Sequence, residues 1–169
     1  MTTFDFGFGP VSAHRHPNGG GWVADTAQVV GTARVFGDAQ VYGNAQVFGN
    51  AQVFGNAQVF GDAQGFGEAR VFDRARVFGN AQVSGKARVF GNAQVSGDAR
   101  VSGKARIYGI MRSDDYCFVA VPCADGKKRI IAGCRYFTLA EAKKHWNKTH
   151  RNYKEVSAIL QFFITTGQL

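Results

Sequence analysis

Apolar and polar residues alternate in a six-residue cycle through the middle of the chain, from Val23 to Gly109. The commonest form of the cycle is Gly-Asn-Ala-Gln-Val-Phe, as at 49–54. Every sixth residue from 29 to 107 is aliphatic except Gly65, and an Ala lies two residues before each of these positions. A fixed period of this length predicts a solenoid, and a hexapeptide period predicts a parallel β-helix.

Each repeat has the side-chain order of one short strand followed by one corner. In Ala-Gln-Val, the Ala and Val side chains point to one face and the amide points to the other. Gly followed by Asn or Asp tolerates the positive φ that a corner needs. A helix is excluded because a Gly in every repeat would cost about 1 kcal/mol relative to Ala. A disordered chain is excluded because the apolar positions are regular and the sequence has 15 Phe to bury.

The repeat resembles the hexapeptide-repeat family, whose members form triangular left-handed β-helices and commonly trimerise. The resemblance implies three hexapeptides, or 18 residues, per coil and about five coils between Val23 and Gly109. The chain is also similar to small phage and prophage proteins of this family that carry a C-terminal cap. That similarity lies in His-Arg-His-Pro-Asn-Gly-Gly-Gly at 14–21 and in the segment 132–146. The handedness is implied by the resemblance alone.

We therefore predict an all-β solenoid, a triangular parallel β-helix, with a small ββαα cap at its C-terminal end. The N-terminal segment, residues 1–22, is expected to cover the open first coil, with Trp22 packing on it, because a solenoid end exposes unpaired strand edges. The repeats occupy residues 23–109, and the cap occupies residues 110–169.

The cap pattern predicts one hairpin followed by two short helices. Alternating residues predict strands at 115–122 and 129–133, joined by a turn at 124–127. A capping-box signature precedes each helix. These signatures are Thr138 with Glu141, and Asn152 with Glu155 ahead of the apolar residues Val156, Ile159, Leu160 and Phe163.

Composition and charge narrow the class of partner. The net charge of +8 favours anionic partners, although a basic surface can also serve solubility alone. No apolar run approaches 18 residues, and the N-terminus lacks a signal-peptide layout, so we expect a cytoplasmic protein of the bacterial host with no membrane partner. Three Cys without paired spacing favour a reducing compartment.

Sorting the outward positions by the 18-residue coil places aromatic residues and Arg on one face. The residue after each Val is aromatic along the whole of this column, and Phe36, Phe54 and Phe72 are predicted to form an oligomer interface. The upper part of the face carries cations for phosphates and rings for stacking. Asp98 is the only acid that we expect near these cations. The predicted ligand-binding residues are Lys86, Arg88, Phe90, Lys104, Arg106 and Tyr108.

Several other residues allow two interpretations. The register faults at Gly65, Glu68, Asp73 and Arg74 indicate either a ligand notch or sequence drift. The pair His14 and His16 has a spacing that metal sites use, but no Cys, Asp or Glu lies nearby in sequence, so covering the first coil is the favoured role. We interpret Cys134, His145 and His150 as structural, because their spacing matches no known motif.

The repeats lack the residues that enzymes of the hexapeptide-repeat family use for catalysis or metal binding. Those acyltransferases place a catalytic His beside a loop that leaves the helix, and the related carbonic anhydrases bind metal through several His. Residues 23–109 contain no His and no inserted loop, so the general base is missing. We predict a non-enzymatic oligomeric binding protein, a homotrimer without a cofactor. Its expected role is that of a phage anti-defence protein that sequesters either a nucleotide-type anion or a host defence protein. The alternatives are a structural or protein-binding trimer and a divergent acyltransferase.

Overall fold

The computed structural model describes residues 2–123, 125–133 and 135–169. Within these residues the strands form three sheets that run along a parallel β-solenoid of about five turns, followed by two short helices. The predicted fold class is therefore confirmed. Among the described residues, the three sheets have seven, five and eight strands.

The N-terminal segment forms a hairpin that was not expected from the sequence. Its strands β1 (Thr3–Asp5) and β2 (Pro10–Arg15) pair antiparallel, and β2 pairs antiparallel with β3 (Trp22–Ala24). The hairpin thereby extends one face of the solenoid along its axis, beyond the first coil. Trp22 does pack on this segment, with its ring stacked 4.4 Å from that of Phe4.

The glycine run ahead of β3 covers the open edge of a second face. The Gly21 N–H donates to the Val35 carbonyl at 2.8 Å, and a Cβ on Gly21 would lie 2.6 Å from Val35 Cγ1. Only glycine permits so close an approach. An unpaired strand edge of the first coil is thus closed by backbone.

The repeats form two-residue strands, with longer ones near the C-terminal end, that pair in register with the strand 18 residues further on, as Gln64 with Gln82. Their Ala and Val side chains fill a continuous interior, where most are fully buried. Backbone N–H groups donate along the axis, as from Gln52 to the Ala69 carbonyl at 2.9 Å. The strands are β4 (Gln28–Val29), β5 (Arg34–Val35), β6 (Gln40–Val41), β7 (Gln46–Val47), β8 (Gln52–Val53), β9 (Gln58–Val59), β10 (Gln64–Gly65), β11 (Arg70–Val71), β12 (Arg76–Val77), β13 (Gln82–Val83), β14 (Arg88–Gly91), β15 (Gln94–Val95), β16 (Arg100–Val101) and β17 (Arg106–Met111).

The register faults leave the coil path intact. Asp73 replaces a corner glycine, adopts a φ of 60°, and accepts a 3.0 Å hydrogen bond from the Gly91 N–H. Gly65 stays paired with Val47 and Val83 in β10. A Cβ on the buried Gly65 would meet no atom within 4 Å, so the fault leaves a hole in the interior rather than a notch in the surface.

The cap continues one face of the solenoid as an antiparallel sheet. Strand β17 pairs with β18 (Cys117–Pro122), which pairs with β19 (Lys128–Ala132), and β19 pairs with β20 (Arg135–Phe137). The predicted hairpin is present, whereas β20 was not predicted. Helices α1 (Leu139–His145) and α2 (Tyr153–Thr165) enclose a separate apolar core against this sheet. No helix among the described residues is long and apolar enough to cross a membrane.

One of the two predicted capping boxes forms. The Glu141 N–H donates to Thr138 Oγ1 at 3.2 Å, and the Thr138 N–H donates to Glu141 Oε2 at 2.7 Å. The prediction for Asn152 and Glu155 is wrong. Asn152 makes no side-chain cap bond, since its φ and ψ of −99° and 15° are not the extended values of an N-cap residue. Glu155 instead accepts from the N–H and hydroxyl of Ser113 at 2.6 and 2.8 Å, which joins α2 to the turn after β17.

Candidate functional site

The face built from β5, β8, β11, β14 and β17 carries the column of aromatic rings that sorting by coil predicts. Phe36, Phe54 and Phe72 stack with centroids 4.9 Å apart and interplanar angles of 4° or less. The spacing widens upward, to 5.3 Å for Phe72 and Phe90 and to 5.8 Å for Phe90 and Tyr108, where the rings are tilted by 34°. The column therefore opens where it meets the cap.

The rings of this column are half-buried, because each ring covers the faces of its neighbours. The sequence places these rings at outward positions but does not show how tightly equivalent positions of successive coils stack. The upper end is closed by Phe162 of α2, whose ring lies edge-on to Tyr108 at 5.8 Å. The aromatic face is thus continuous with the cap.

A cleft of about 580 Å³ lies between the last coil and the cap. Four of the six predicted ligand-binding residues line it, namely Phe90, Lys104, Arg106 and Tyr108. The cap contributes Lys128, whose ammonium group donates to the Gly167 carbonyl at 2.9 Å. The cleft therefore combines three cations with two aromatic rings.

Lys86 and Arg88 do not line this cleft. Lys86 lies 3.7 Å from a Glu68 carboxylate oxygen in the coil below, so Asp98 is not the only acid near the predicted cations, and that expectation is wrong. Both side chains are more than half exposed, so the pair contributes at most about 1 kcal/mol. It nevertheless neutralises the charge of Lys86, whereas Lys104 in the next coil has no ion pair among the described residues.

Sequence reasoning missed the part of the cleft that the cap supplies. Lys128 begins β19, and Thr166, Gly167 and Gln168 follow α2, so these residues lie far apart in sequence. Residues 127–129 form a short basic run, which is the one signal in the sequence. Nothing in that run indicates which face of the solenoid it meets.

The N-terminal histidines have different environments. His14 Nδ1 lies 2.9 Å from Asp25 Oδ1, and the Ser12 hydroxyl donates to the same carboxylate. The Ser12 hydrogen bond, followed by that of His14, lowers the pKa of Asp25. His16 is buried, and this burial lowers its pKa. The described residues contain no group of three His, Cys, Asp or Glu side chains that could hold a metal ion.

In the cap, His145 packs edge-on against Trp146 at 4.6 Å, and the ring of His150 lies 6.0 Å from that of His145. The His150 Nδ1 accepts from the Asn152 N–H at 3.1 Å. Both histidines therefore have packing or backbone partners, in line with the structural interpretation. Cys134, which the sequence groups with them, lies outside the described residues.

Three segments of the repeat region match a family model described as YdcK Beta solenoid repeat, at residues 39–54, 69–85 and 93–109. All three lie on the stacked coils described above. The repeat region is therefore similar in sequence to β-solenoid repeats, and the chain has a β-solenoid fold. No curated protein and no solved structure matches it. The matched segments lie on the solenoid, and the last of them includes the cleft residues 104–108, whereas the cap lies outside the match.

Proposed function

We propose that the protein is a non-enzymatic oligomeric binding protein that holds a nucleotide-type anion in the cleft between the last coil and the cap. The observation that carries the proposal is the convergence of Lys104, Arg106 and Lys128 beside Phe90 and Tyr108. Guanidinium and ammonium groups bind phosphate oxygens through charge-assisted hydrogen bonds. Aromatic rings offer a stacking surface for a base.

The size and charge of the cleft support this ligand class. Its volume of about 580 Å³ falls within the range of small-ligand sites, roughly 300–1,000 Å³. Among the described residues that line it, none is acidic. An anion there would gain attraction from three cations without repulsion from a lining carboxylate.

The cellular role that we propose is anti-defence in the bacterial cytoplasm. The resemblance of segments 14–21 and 132–146 to phage and prophage proteins supports a capture role against a host nucleotide signal. A host defence protein is the alternative target. It would use the same basic face as a protein-binding surface.

Titration calorimetry with ATP as the probe tests the ligand proposal. Lys104→Ala with Arg106→Ala should weaken ATP binding at least about tenfold, because each charge-assisted hydrogen bond contributes about 1.5–3 kcal/mol. The matched control, Lys86→Ala with Arg88→Ala, removes the same charge from the same face outside the cleft and should change affinity less than about threefold. Equal losses in both variants would mean that net charge, not the cleft, attracts the nucleotide.

A homotrimer assembled through the lower aromatic column is the second part of the proposal. The column of Phe36, Phe54 and Phe72 supports it, because a flat, apolar, regularly spaced face suits self-association. The same observation favours a structural or protein-binding trimer without a small ligand as the second candidate function.

Sedimentation equilibrium should give three times the chain mass of 18.3 kDa. Phe54→Arg should shift the protein toward monomer, while Ser84→Arg, at the equivalent outward position of another face, should leave the trimer intact. A wild-type protein that sediments as a monomer at micromolar concentration would contradict assembly.

A further inference from the structure

The connection between the two helices is the most cationic short segment of the chain. We call residues 143–154 the cationic connector; it comprises the end of α1, the loop and the start of α2. It contains five Lys or Arg residues and no Asp or Glu in twelve positions. They are Lys143, Lys144, Lys148, Arg151 and Lys154.

The two acids that flank the connector do not neutralise it. Glu141 is held by the backbone N–H and hydroxyl of Thr138 at 2.7 and 2.8 Å. Glu155 lines the same cleft as Arg151 and Lys154, but its two carboxylate oxygens accept from the N–H and hydroxyl of Ser113 at 2.6 and 2.8 Å. Across the described part of the chain, no carboxylate lies within 4.0 Å of any Lys or Arg of the connector. Its charge is therefore open to an external partner.

The connector surface is concave. Two clefts, of about 370 and 430 Å³, adjoin there and share Lys148 and Tyr153 in their linings. Lys143 and Asn147 line the first cleft, and Arg151 is among those that line the second. The half-buried ring of Tyr153 thus lies between two groups of cations and hydrogen-bond donors.

Local contacts hold the connector in shape. Asn147 Oδ1 accepts from the Thr149 N–H at 3.0 Å, and the His150 N–H donates to the Asn147 carbonyl at 2.9 Å. Trp146 is 5% exposed and packs against Phe118 in the cap core, with ring centroids 5.2 Å apart. A surface ordered before binding loses less entropy when a partner binds.

We propose that the cationic connector binds single-stranded nucleic acid, with its Lys and Arg residues on successive phosphates and Tyr153 stacked on a base. Alternation of cations with a ring along a groove is the arrangement that single strands use. An anionic membrane fits less well, because interfacial segments expose large apolar residues, and within the described connector the one Trp is buried. The site is separate from the cleft between the last coil and the cap, which other residues line.

The test is fluorescence anisotropy with a labelled mixed-sequence DNA strand of about 20 nucleotides, long enough to span the site. Lys148→Ala with Arg151→Ala and Lys154→Ala should weaken binding at least about tenfold at about 50 mM salt. The slope of log K against log[salt] should fall by about 2, since each lost phosphate contact removes about 0.7. Tyr153→Leu should weaken binding about tenfold, while Tyr153→Phe, which keeps the ring, should not.

A charge-matched control separates the connector from net charge. Arg70→Ala with Arg74→Ala and Arg100→Ala removes three exposed cations from the solenoid and should change affinity less than about threefold. Lys104→Ala with Arg106→Ala should keep DNA binding even if it loses ATP. Each variant is compared by thermal melting, and a connector variant that melts with the wild type and still binds DNA as tightly overturns the proposal.

Three other outcomes also overturn it. A wild-type protein that leaves the anisotropy of the strand unchanged at about 50 mM salt shows no such site. Binding of poly-glutamate as tight as that of the DNA strand would indicate an acidic protein as the partner. Co-sedimentation with phosphatidylserine vesicles, lost in the connector variant, in place of DNA binding would indicate a membrane surface.

Discussion

The solenoid and the cap are stabilised in different ways. In the solenoid, the same interior contact recurs from coil to coil, as Val53 pairs with Val35 below and Val71 above. In the cap, contacts occur once. The buried Arg112 donates from Nε to Asp114 Oδ1 at 2.7 Å, and Glu155 holds Ser113. Because its contacts repeat, the solenoid tolerates the loss of one of them, whereas no equivalent contact replaces one that is lost from the cap.

Two glycines outside the positive-φ region make this difference concrete. Gly65 lies in a coil, paired on both sides, and an added Cβ would meet open space. Gly109 lies where the last coil meets the cap, and an added Cβ would lie 2.6 Å from Cys117 Sγ and 2.8 Å from the Asn92 carbonyl oxygen. Burial raises the pKa of this Cys117 thiol to about 11. The solenoid interior therefore has space for an added methyl group at Gly65, whereas the junction between the last coil and the cap has none at Gly109.

The largest expected effect comes from placing a charge inside the solenoid. Val53 is 1% exposed, so Val53→Asp buries a carboxylate without a partner and should cost several kcal/mol, enough to unfold the coils. Urea unfolding followed by circular dichroism measures the loss. Val30→Asp is the matched control, because Val30 is 56% exposed and its variant should melt with the wild type. Similar melting of both variants would mean that the inward and outward registers are exchanged.

Gly109→Ala tests the packed junction. The added methyl group forces Cys117 and the last coil apart, and overpacking of this kind costs about 1–3 kcal/mol. The free energy of unfolding from urea titration should fall by that amount. An unchanged stability would show that the cap can shift relative to the last coil at little cost.

Gly65→Ala should raise the free energy of unfolding, whereas Gly109→Ala should lower it. Its methyl group fills part of the interior hole and reduces the freedom of the unfolded chain, a gain of about 0.4–1 kcal/mol. Comparison of Gly65→Ala with Gly109→Ala in the same urea series removes any general effect of the substitution. A destabilised Gly65→Ala protein would indicate that the coil backbone has already closed around the hole.

The smallest effect concerns an exposed ion pair of the cap. The Arg129 guanidinium, which donates to both Asp125 oxygens, lowers the pKa of Asp125 to about 2. The folded pKa lies below the ordinary value of 3.8, so the pair stabilises the protein above that value and loses its effect as the pH falls through about 2. Arg129→Gln should raise the pKa of Asp125 toward 3.8, measured by NMR titration of its carboxyl carbon. A pKa that stays near 2 would assign the shift to the Lys127 N–H instead.

The structure of the solenoid could be predicted from the sequence because it depends on short residue patterns that recur from repeat to repeat. Alternation within Ala-Gln-Val gives the inward face, and sorting by 18 residues gives the stacked column of Phe36, Phe54 and Phe72. The same sorting places Glu68 beneath Lys86, so their ion pair was within reach of sequence reasoning.

Contacts that occur only once in the molecule could not be predicted from the sequence in this way. The N-terminal hairpin β1–β2, strand β20 and the position of Lys128 at the cleft each depend on one tertiary arrangement that occurs once. Asn152 shows the same limit, since a capping signature does not show where the Glu155 carboxylate finds a better partner. For a site between the solenoid and the cap, the sequence therefore predicts the residues that the solenoid contributes but not those that the cap contributes.

The claim that ligand binding belongs to this junction can be tested directly by amide hydrogen exchange with and without saturating ATP. We predict slower exchange at residues 104–108 of the last coil and 166–168 after α2, with little change in the lower coils. Slower exchange confined to residues 34–54 of the lower coils, or to residues 14–21, would contradict the account and place the site elsewhere.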